Sequence, residues 1–366
     1  MNILRITRTF PPIVDGTSIH MYELSKYQEK IHNLYLIVPN RKNIPDFFNL
    51  NKVDNIDDNK IFYSKFEKLK FHFNAIRQYR NLLKSADIVH IVGDLHDVIF
   101  VVFLKIFFNY KIVLSLHGGT TTKKSYKILA TIFYNFVDKL YMTSYKVSEQ
   151  LFYIKESKKF ITTSGIKFNE IVKKNISYSN NKIITVGRLH QVKAFDDLIS
   201  SMQYLDDKYT LTIVGDGPEY ENLRLLIKHL KLDKRVFLVG EKKREVIYKL
   251  LAEYDIFVLS SIKLKGQEEG TPTAMIEAMG AGLPIVSTDT GGVRDLLQLY
   301  PKECIVPQNS PEKLAEAIRF VGENINLQKY LSHKSLEIAK KKDWSIIAKN
   351  ITELFEKVLD KNESKN

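Results

Sequence analysis

Two carboxylates in one short stretch are the first candidates for chemistry in this sequence. Glu269 and Glu277 lie eight residues apart, about two turns where the chain is helical. This spacing prevents them from pairing with each other but lets them reach different parts of one ligand. A carboxylate accepts hydrogen bonds from two neighbouring hydroxyls, so the pair predicts a polyol ligand. The alternative at this point is a solvated helix with two surface acids.

The sequence predicts a helix start between the two carboxylates. Gly270 and Pro272 interrupt regular structure, Thr271 is a good N-cap, and Pro272 suits the first helical position. The unpaired N–H groups from Gly270 to Thr273 would then favour a phosphate or sugar hydroxyls.

A second candidate follows the first strand predicted in the second half of the chain. Gly187 allows a ligand to approach the backbone closely, while Arg188 and Lys193 provide a forked cation and a point charge. Two such cations at one strand end suit a diphosphate. The alternative is a surface loop with ordinary basic residues.

Three more glycine turns follow predicted strands of the same half. They are Gly215–Pro218, Gly240 with Glu241, and Gly291–Gly292. One such turn is a weak signal. Four of them predict a ligand-binding rim, because the carboxyl ends of parallel strands lie at one edge of a sheet. We assign Gly215, Gly240 and Glu241 to this rim, the last two where the backbone could meet a nucleotide base.

The elements that must position these residues alternate between strand and helix patterns in both halves of the chain. This alternation predicts an α/β fold with two doubly wound, Rossmann-like domains and a ligand crevice at the strand ends. A polar connection at residues 170–181 separates the halves. We therefore place the first domain at residues 1–175, the second at 176–340 and a C-terminal segment at 341–366.

Periodicity also gives individual elements. It predicts one amphipathic helix over residues 65–84, another helix over 98–108, and late helices at 311–320 and 345–359, with irregular structure over 40–60.

Composition limits the compartment and the class of protein. The chain has 366 residues and is 44% hydrophobic, which is enough for two cores. The single cysteine, Cys304, cannot form an intrachain disulfide and fits a reducing compartment. The first residues do not resemble a secretory signal, and the longest apolar run, Val98–Phe108, is shorter than a spanning helix. We expect a cytoplasmic protein that is soluble or peripheral on the inner face of the membrane.

The net charge of +13 is concentrated in the first half. Residues 1–170 hold 25 basic and 15 acidic residues, whereas residues 171–366 hold 30 and 27. This asymmetry favours an anionic partner for the first half, such as a membrane surface, a phosphorylated acceptor or a nucleic acid. The alternative is a generally lysine-rich composition. We find no standard nucleic-acid motif, and charge alone carries no recognition code.

In order and spacing these motifs resemble the retaining glycosyltransferases of glycosyltransferase family 4, which have the GT-B fold. The specific part of the resemblance consists of Gly187–Lys193, Gly215–Pro218, Glu269 with Glu277, Gly282–Val286 and Gly291–Gly292. A looser part consists of Pro11–His20, His117–Gly118 and Trp344 before a last helix. The resemblance implies that this last helix packs back on the first domain.

The resemblance implies a role for each matching residue on the donor side. Arg188 and Lys193 would hold the donor diphosphate and stabilise the charge that develops on the leaving nucleotide. Glu277 would bind the ribose hydroxyls. Glu269, with the backbone N–H groups of Gly270 to Thr273, would hold the transferred sugar.

It implies two further residues in the first domain. His117 would lie near the sugar and the reacting centre, and Gly16 would let its loop approach the phosphate or the acceptor. The sequence departs from the family at Asp15, where a glycine is frequent, and at Asp295, where a glutamate is frequent. We expect His20 to be a packed helix residue, and we leave His96 and His190 as rim candidates.

The implied reaction is transfer of a sugar, with retention, from a UDP- or GDP-sugar to a glycan or lipid-linked saccharide. The implied setting is cell-envelope polysaccharide or lipopolysaccharide assembly. The resemblance implies no metal and no cofactor, and the sequence shows no metal-ligand cluster. The alternatives are a sugar-nucleotide epimerase or phosphorylase of the same architecture, a basic nucleic-acid-binding or nucleic-acid-modifying protein, and an inactive binding module.

A basic, aromatic segment at residues 60–84 raises the question of a membrane. Such a segment could rest on an anionic bilayer and meet a lipid-linked acceptor. The preferred interpretation is an ordinary amphipathic helix that packs on the sheet.

Overall fold

The computed structural model describes residues 1–13, 16–47, 49–53, 64–117, 124–143, 145–174, 181–264 and 272–360. The chain divides into two compact units. Unit 1 consists of Met1–Gly165 and Trp344–Asn366, and unit 2 consists of Ile166–Asp343.

The first boundary between the units differs from the predicted one after residue 175. Residues 166–174 belong to unit 2, because Ile166 and Ile171 are buried in its core and Lys174 forms an ion pair with Asp255. The second boundary lies after Asp343, three residues beyond the predicted residue 340.

Unit 1 contains a parallel sheet of seven strands in the order β3-β2-β1-β4-β5-β6-β7. The strands are β1 (Asn2–Thr7), β2 (Asn33–Pro39), β3 (Leu50–Val53), β4 (Ile88–Val92), β5 (Lys111–Leu116), β6 (Lys139–Met142) and β7 (Lys159–Ile161). Successive side chains of β1 serve two cores: Leu4 and Ile6 lie in one, and Ile3 lies in the other. Burial on both faces explains why these strands are nearly continuous apolar runs.

Within the described residues of unit 1, six helices connect these strands. They are α1 (Gly16–Gln28), α2 (Lys65–Gln78), α3 (Arg80–Ser85), α4 (Leu95–Leu104), α5 (Lys124–Asn135) and α6 (Tyr145–Gln150). Helices α2, α4 and α5 contribute to the core that contains Leu4, whereas α1 contributes to the core that contains Ile3.

Three details of unit 1 differ from the predicted elements. The single helix predicted over residues 65–84 is two helices, because the backbone at Tyr79 (φ −119°) leaves the helical range. Helix α4 begins at Leu95 rather than 98, since Asp94 and Asp97 form a capping box there. Strand β3 lies within residues 40–60, which were predicted to be irregular.

Unit 2 contains a second parallel sheet, of six strands in the order β10-β9-β8-β11-β12-β13. The strands are β8 (Lys182–Val186), β9 (Thr210–Val214), β10 (Val236–Leu238), β11 (Ile256–Leu259), β12 (Ile285–Thr288) and β13 (Ile305–Val306). The helices are α7 (Phe195–Ser201), α8 (Tyr220–His229), α9 (Arg244–Leu251), α10 (Thr273–Ala281), α11 (Val293–Leu296), α12 (Pro311–Gly322) and α13 (Ile325–Lys340). The predicted α/β class with two Rossmann-like sheets is confirmed.

A last helix, α14 (Trp344–Asp360), belongs to unit 1. It packs against α1, and Trp344, Ile351 and Phe355 are buried in the core shared with that helix. Of the helices that the structure describes, none has the length and apolar character needed to cross a membrane.

Candidate functional site

The predicted cationic loop lies at the carboxyl end of β8. Arg188 is exposed and has no ion-pair partner in the described parts of the chain. Lys193 ends a 3₁₀ turn (Gln191–Lys193), and its aliphatic chain lies across Gly187, with Cε 3.5 Å from where a methyl group on that glycine would stand. The Arg188 side chain of this loop is therefore exposed to solvent, whereas the aliphatic part of the Lys193 side chain lies over the backbone at Gly187.

A second loop, which follows β9, packs directly on the first. The Gly187 N–H donates to Val214 (3.0 Å), and the Leu189 N–H donates to Asp216 (2.9 Å). A side chain at Gly215 (φ +147°) would stand 1.9 Å from the Gly187 carbonyl oxygen, and one at Gly217 would stand 2.4 Å from that of Leu189. Glycine is required at both positions because the two backbones touch. The structure thus gives Gly215 a packing role, and donor contact at this residue stays a prediction.

The third turn of the predicted rim is Gly240 with Glu241. Gly240 has a left-handed backbone (φ +71°) and open space around it, and its carbonyl accepts the Gly215 N–H at 3.0 Å. Glu241 is exposed. The turns after β8, β9 and β10 therefore form one hydrogen-bonded edge.

Glu277 is held by two residues that the sequence analysis missed. Arg244 Nε donates to Glu277 Oε1 at 2.9 Å, Arg244 Nη2 donates to the same oxygen, and the Tyr248 hydroxyl donates to it at 3.2 Å. The Glu277 residue as a whole is 7% exposed. Among the described residues no donor is bonded to Oε2, so that oxygen is available to a ligand hydroxyl.

The charges around Glu277 reinforce this arrangement. Burial lowers the pKa of Arg244, but the Glu277 carboxylate outweighs it, so that pKa lies above its ordinary value. Burial and the same carboxylate raise the pKa of Tyr248, which keeps its hydroxyl protonated as a donor. Arg244 and Tyr248 lie four residues apart on one face of α9, and this spacing was the available sequence signal.

The loop that contains Glu269 is described only at its two ends. Glu269, Gly270 and Thr271 lie outside the described residues. On the near side, Ser260 Oγ donates to the Lys193 carbonyl (2.7 Å) and the Ile262 N–H donates to the Val192 carbonyl (2.8 Å), which ties the segment after β11 to the cationic loop.

On the far side of this loop, α10 begins at residue 273, as the predicted helix over 273–279 required, but Pro272 is not its first residue. Pro272 precedes Thr273 in a non-helical conformation (φ −74°, ψ 87°). Glu277 lies one turn into this helix.

A cavity of about 310 Å³ opens beside the cationic loop. His190 lines it, together with acidic side chains of α7, polar and apolar residues around α8, and the segment after β11. Its lining includes Asp196, Asp197, Glu219, Leu223, Ile262 and Leu264.

Two of the predicted residues of unit 1, His20 and His117, lie together in a buried cluster. Burial lowers the pKa of His117 to about 3, so its imidazole is neutral, and its Nε2 is buried without a hydrogen-bond partner in the described structure. His117 packs edge-on against His20, with ring centroids 4.8 Å apart. His20 is fully buried in α1, where Nδ1 contacts Ser164 Oγ at 3.0 Å and Nε2 contacts the Tyr141 hydroxyl. His20 is therefore a packed helix residue.

The remaining predicted positions are more peripheral. Gly16 begins α1 with open space beside it. His96 Nδ1 contacts Asp94 at 3.1 Å at the start of α4. Asp295 lies in the first turn of α11, whereas Asp15 and Gly118 fall outside the described residues. Within the described part of the chain, no group of three or more His, Cys, Asp or Glu side chains could hold a metal ion.

Two family models match successive parts of the chain. The model described as Glycosyltransferase Family 4 matches residues 14–158, and the one described as Glycosyl transferases group 1 matches residues 167–337. Each therefore covers most of one unit.

Two curated relatives match over less than half of the chain. WcaL of Escherichia coli (strain K12), which is assigned to colanic acid biosynthesis, is 32% identical over 37% of this chain and 35% of its own length. The amylovoran biosynthesis glycosyltransferase AmsK of Erwinia amylovora is 32% identical over 42% and 40%. The chain thus spans less than half the length of these two relatives.

A solved structure matches over nearly the whole chain. HepE of Anabaena, in complex with UDP, superposes with a TM-score of 0.79 over 98% of this chain and 100% of that chain, at 16% identity. At this identity the likeness concerns the fold alone.

Proposed function

The chain belongs to glycosyltransferase family 4 and has the GT-B fold, and on this basis we propose that it transfers a sugar from a nucleotide-sugar donor to a saccharide acceptor. Relatives named for colanic acid and amylovoran biosynthesis support a role in polysaccharide biosynthesis. The UDP bound by HepE supports a nucleotide-sugar donor. We further propose UDP or GDP as the nucleotide, a glycan or lipid-linked acceptor, and a cytoplasmic enzyme peripheral to the membrane.

The observation that carries this proposal is the oriented carboxylate of Glu277. Three donor atoms fix Oε1 and leave Oε2 for a hydroxyl, which suits the ribose of a nucleotide. Arg188, exposed at the end of β8, and Lys193 in the same loop supply the cations that a diphosphate leaving group requires. We propose that these two residues stabilise the leaving nucleotide without a metal ion, while Glu269 holds the sugar.

His117 fits a hydrogen-bonding role in this scheme. Its imidazole is neutral because burial lowers its pKa to about 3. A neutral ring can donate from one nitrogen and accept at the other, so it would orient a sugar hydroxyl rather than supply a positive charge.

A donor panel tests the proposal. Thermal-shift measurements with UDP-, GDP- and ADP-sugars identify the nucleotide, since a ligand that binds the folded state raises Tm. Labelled donor then reports hydrolysis and transfer, EDTA reports metal dependence, and NMR of the product reports the anomeric configuration. Nucleotide binding with neither hydrolysis nor transfer from any donor would contradict the enzyme assignment.

A further inference from the structure

The helices on one side of the unit 1 sheet present apolar side chains to solvent. Ile128 and Ile132 of α5 and Phe136 just beyond its end recur every four residues and are 56%, 52% and 60% exposed. The opposite face of α5 is buried through Ala130 and Tyr134. A helix on a sheet normally turns polar residues outward, so this second apolar stripe calls for a partner.

The stripe continues onto the neighbouring helix. Phe103 of α4 and Phe133 of α5 form an edge-to-face pair with ring centroids 5.8 Å apart. Just beyond α4, Ile106 and Phe107 are each 77% exposed. Large apolar side chains of two adjacent helices therefore form one continuous patch.

Helix α2 extends this side of the sheet with a mixed stripe. Phe66, Lys70, Phe73 and Arg77 are spaced so that they share one face, and all four are exposed. The buried face of the same helix, with Phe71 and Ala75, packs on the sheet. The packed-helix interpretation of residues 60–84 is confirmed for the buried face of α2, and the membrane interpretation stays a prediction that concerns its exposed face. Residues 60–63 lie outside the described structure.

The charge of this region is one-sided. Between Val98 and Val137 the sequence contains five lysines and no acidic residue. The next acid, Asp138, is already engaged by Lys105 at 2.7 Å. Lys111 also pairs with Asp138, at 3.9 Å. The exposed cations described on this side of the sheet include Lys70 and Arg77 of α2. An apolar surface bordered by such cations complements a bilayer with anionic headgroups, because the apolar groups enter the acyl boundary while the cations meet the phosphates.

We propose that the outward face of α2, α4 and α5, the docking face, seats unit 1 on an anionic phospholipid bilayer. A second copy of the chain is the weaker occupant, since a two-fold contact would bring the lysines of both copies together. The proposal rests on the peripheral membrane location proposed above and names the surface responsible for it, but it does not rest on sugar transfer. It would bring a lipid-linked acceptor to the protein by diffusion in the plane of the membrane.

Vesicle binding tests the docking face. Phosphatidylcholine vesicles with about one quarter phosphatidylglycerol are sedimented with wild type and with the double variant Ile132→Glu/Phe136→Glu. A matched control, Leu225→Glu/Val246→Glu, adds the same charge at exposed apolar positions of unit 2, where the side chains are 55% and 46% exposed. We expect wild type and control to bind, and the Ile132→Glu/Phe136→Glu variant to bind at least about tenfold more weakly.

Several results would overturn the proposal. These are equal binding of the two double variants, no binding of wild type at low salt, and binding to pure phosphatidylcholine as strong as to the charged vesicles. A wild-type dimer in light scattering, dissociated by Ile132→Glu/Phe136→Glu but not by the control, would assign the face to a second copy instead. No donor or acceptor is present in the assay, so its outcome is separate from that of the transfer measurements.

Discussion

At the scale of single residues, a carboxylate is only as useful as the groups that orient it. Glu277 is almost buried, and Arg244 and Tyr248 together determine which of its oxygens faces outward. A carboxylate acceptor binds a hydroxyl more strongly than a neutral acceptor does.

Replacing Glu277 by Gln tests this directly. The side chain keeps its size but loses its charge, so we expect nucleotide affinity to fall about tenfold, as for one charge-assisted hydrogen bond. Isothermal titration with the donor found in the panel measures it. Glu312→Gln is the control, since Glu312 accepts the Tyr204 hydroxyl at 2.9 Å on an exposed surface. Equal affinity of the two variants would remove Glu277 from the donor site.

Arg188 offers a second test at the same scale. It is exposed, so Arg188→Ala should leave the fold intact while turnover falls by a factor that corresponds to about 2–4 kcal/mol of barrier. Lys193→Ala should act in the same direction. Arg224→Ala on α8 is the control, because Arg224 is also exposed and pairs only with its neighbour Glu221 among described partners (2.9 Å). Turnover that survives both the Arg188 and Lys193 changes would refute the diphosphate assignment.

At the scale of elements, the cationic loop depends on the turn beneath it. Gly215→Ala would place a methyl group 1.9 Å from the Gly187 carbonyl oxygen, in a backbone conformation that favours glycine. We expect a loss of about 3 kcal/mol or more in the free energy of unfolding and a displaced Arg188 loop. Urea unfolding and turnover report the two effects.

The substitution Gly240→Ala separates the cost of backbone strain from the cost of a steric clash. Gly240 is left-handed like Gly215 but has open space around it, so the substitution should cost only about 1–2 kcal/mol. Equal losses at the two positions would mean that contact with the Gly187 loop is unimportant.

The same elements show what could be predicted from sequence. Strong alternation revealed both parallel sheets, because strands buried on both faces are nearly continuous apolar runs. It missed β13, which has two residues, and α13, whose buried positions are partly polar (Gln328, Ser332 and Ser335). Hydrophobic periodicity cannot detect a strand that short or a helix that buries polar side chains.

The site was predictable where its signal was local. Glycine turns and cations at strand ends were visible in the sequence, and the structure brings the turns after β8, β9 and β10 together at one edge. The Arg244–Glu277 contact spans 33 residues and exists because α9 packs on α10, which no local pattern encodes. Position 215 requires glycine because its backbone contacts another loop, and the sequence did not reveal this contact either.

At the scale of the whole molecule, unit 1 is organised around a buried arginine without a carboxylate partner among its hydrogen bonds. Arg5 of β1 is fully buried, and burial lowers its pKa to about 9. Its Nε donates to His90 Nδ1 at 2.9 Å, and its other donors bond to Ser25 and Gln28 of α1. Gln28 in turn donates to Thr352 of α14 at 3.2 Å, so this network joins the first strand to the last helix.

This network predicts that unit 1 loses stability in mild acid. Burial lowers the pKa of both His20 and His90 well below 6.5, so both stay neutral in the folded state under conditions in which an unfolded histidine begins to take up a proton. Their contribution is therefore complete above about pH 7.5 and declines below about 6.5, by up to about 1.4 kcal/mol per pH unit for each histidine. His90 cannot accept a proton at Nδ1 while Arg5 donates there, which gives the shift a structural cause.

Trp344 makes the prediction measurable in unit 1 alone. It is the single tryptophan of the chain, and its ring lies 4.9 Å from that of His20. The midpoint of urea unfolding, followed by its fluorescence, should move to lower urea concentration as the pH is lowered from 7.5 to 5.5. This pH range lies well above the pKa of Asp94, because Lys68 holds that pKa below 3.8 although burial opposes the shift. His90→Asn should reduce the dependence by the share of one histidine, since asparagine can still accept from Arg5 but does not titrate. The rest should remain, because burial also lowers the pKa values of His20, His72 and His117. A midpoint that stays constant in wild type, or that falls equally in His90→Asn, would show that these buried imidazoles do not link the stability of unit 1 to pH.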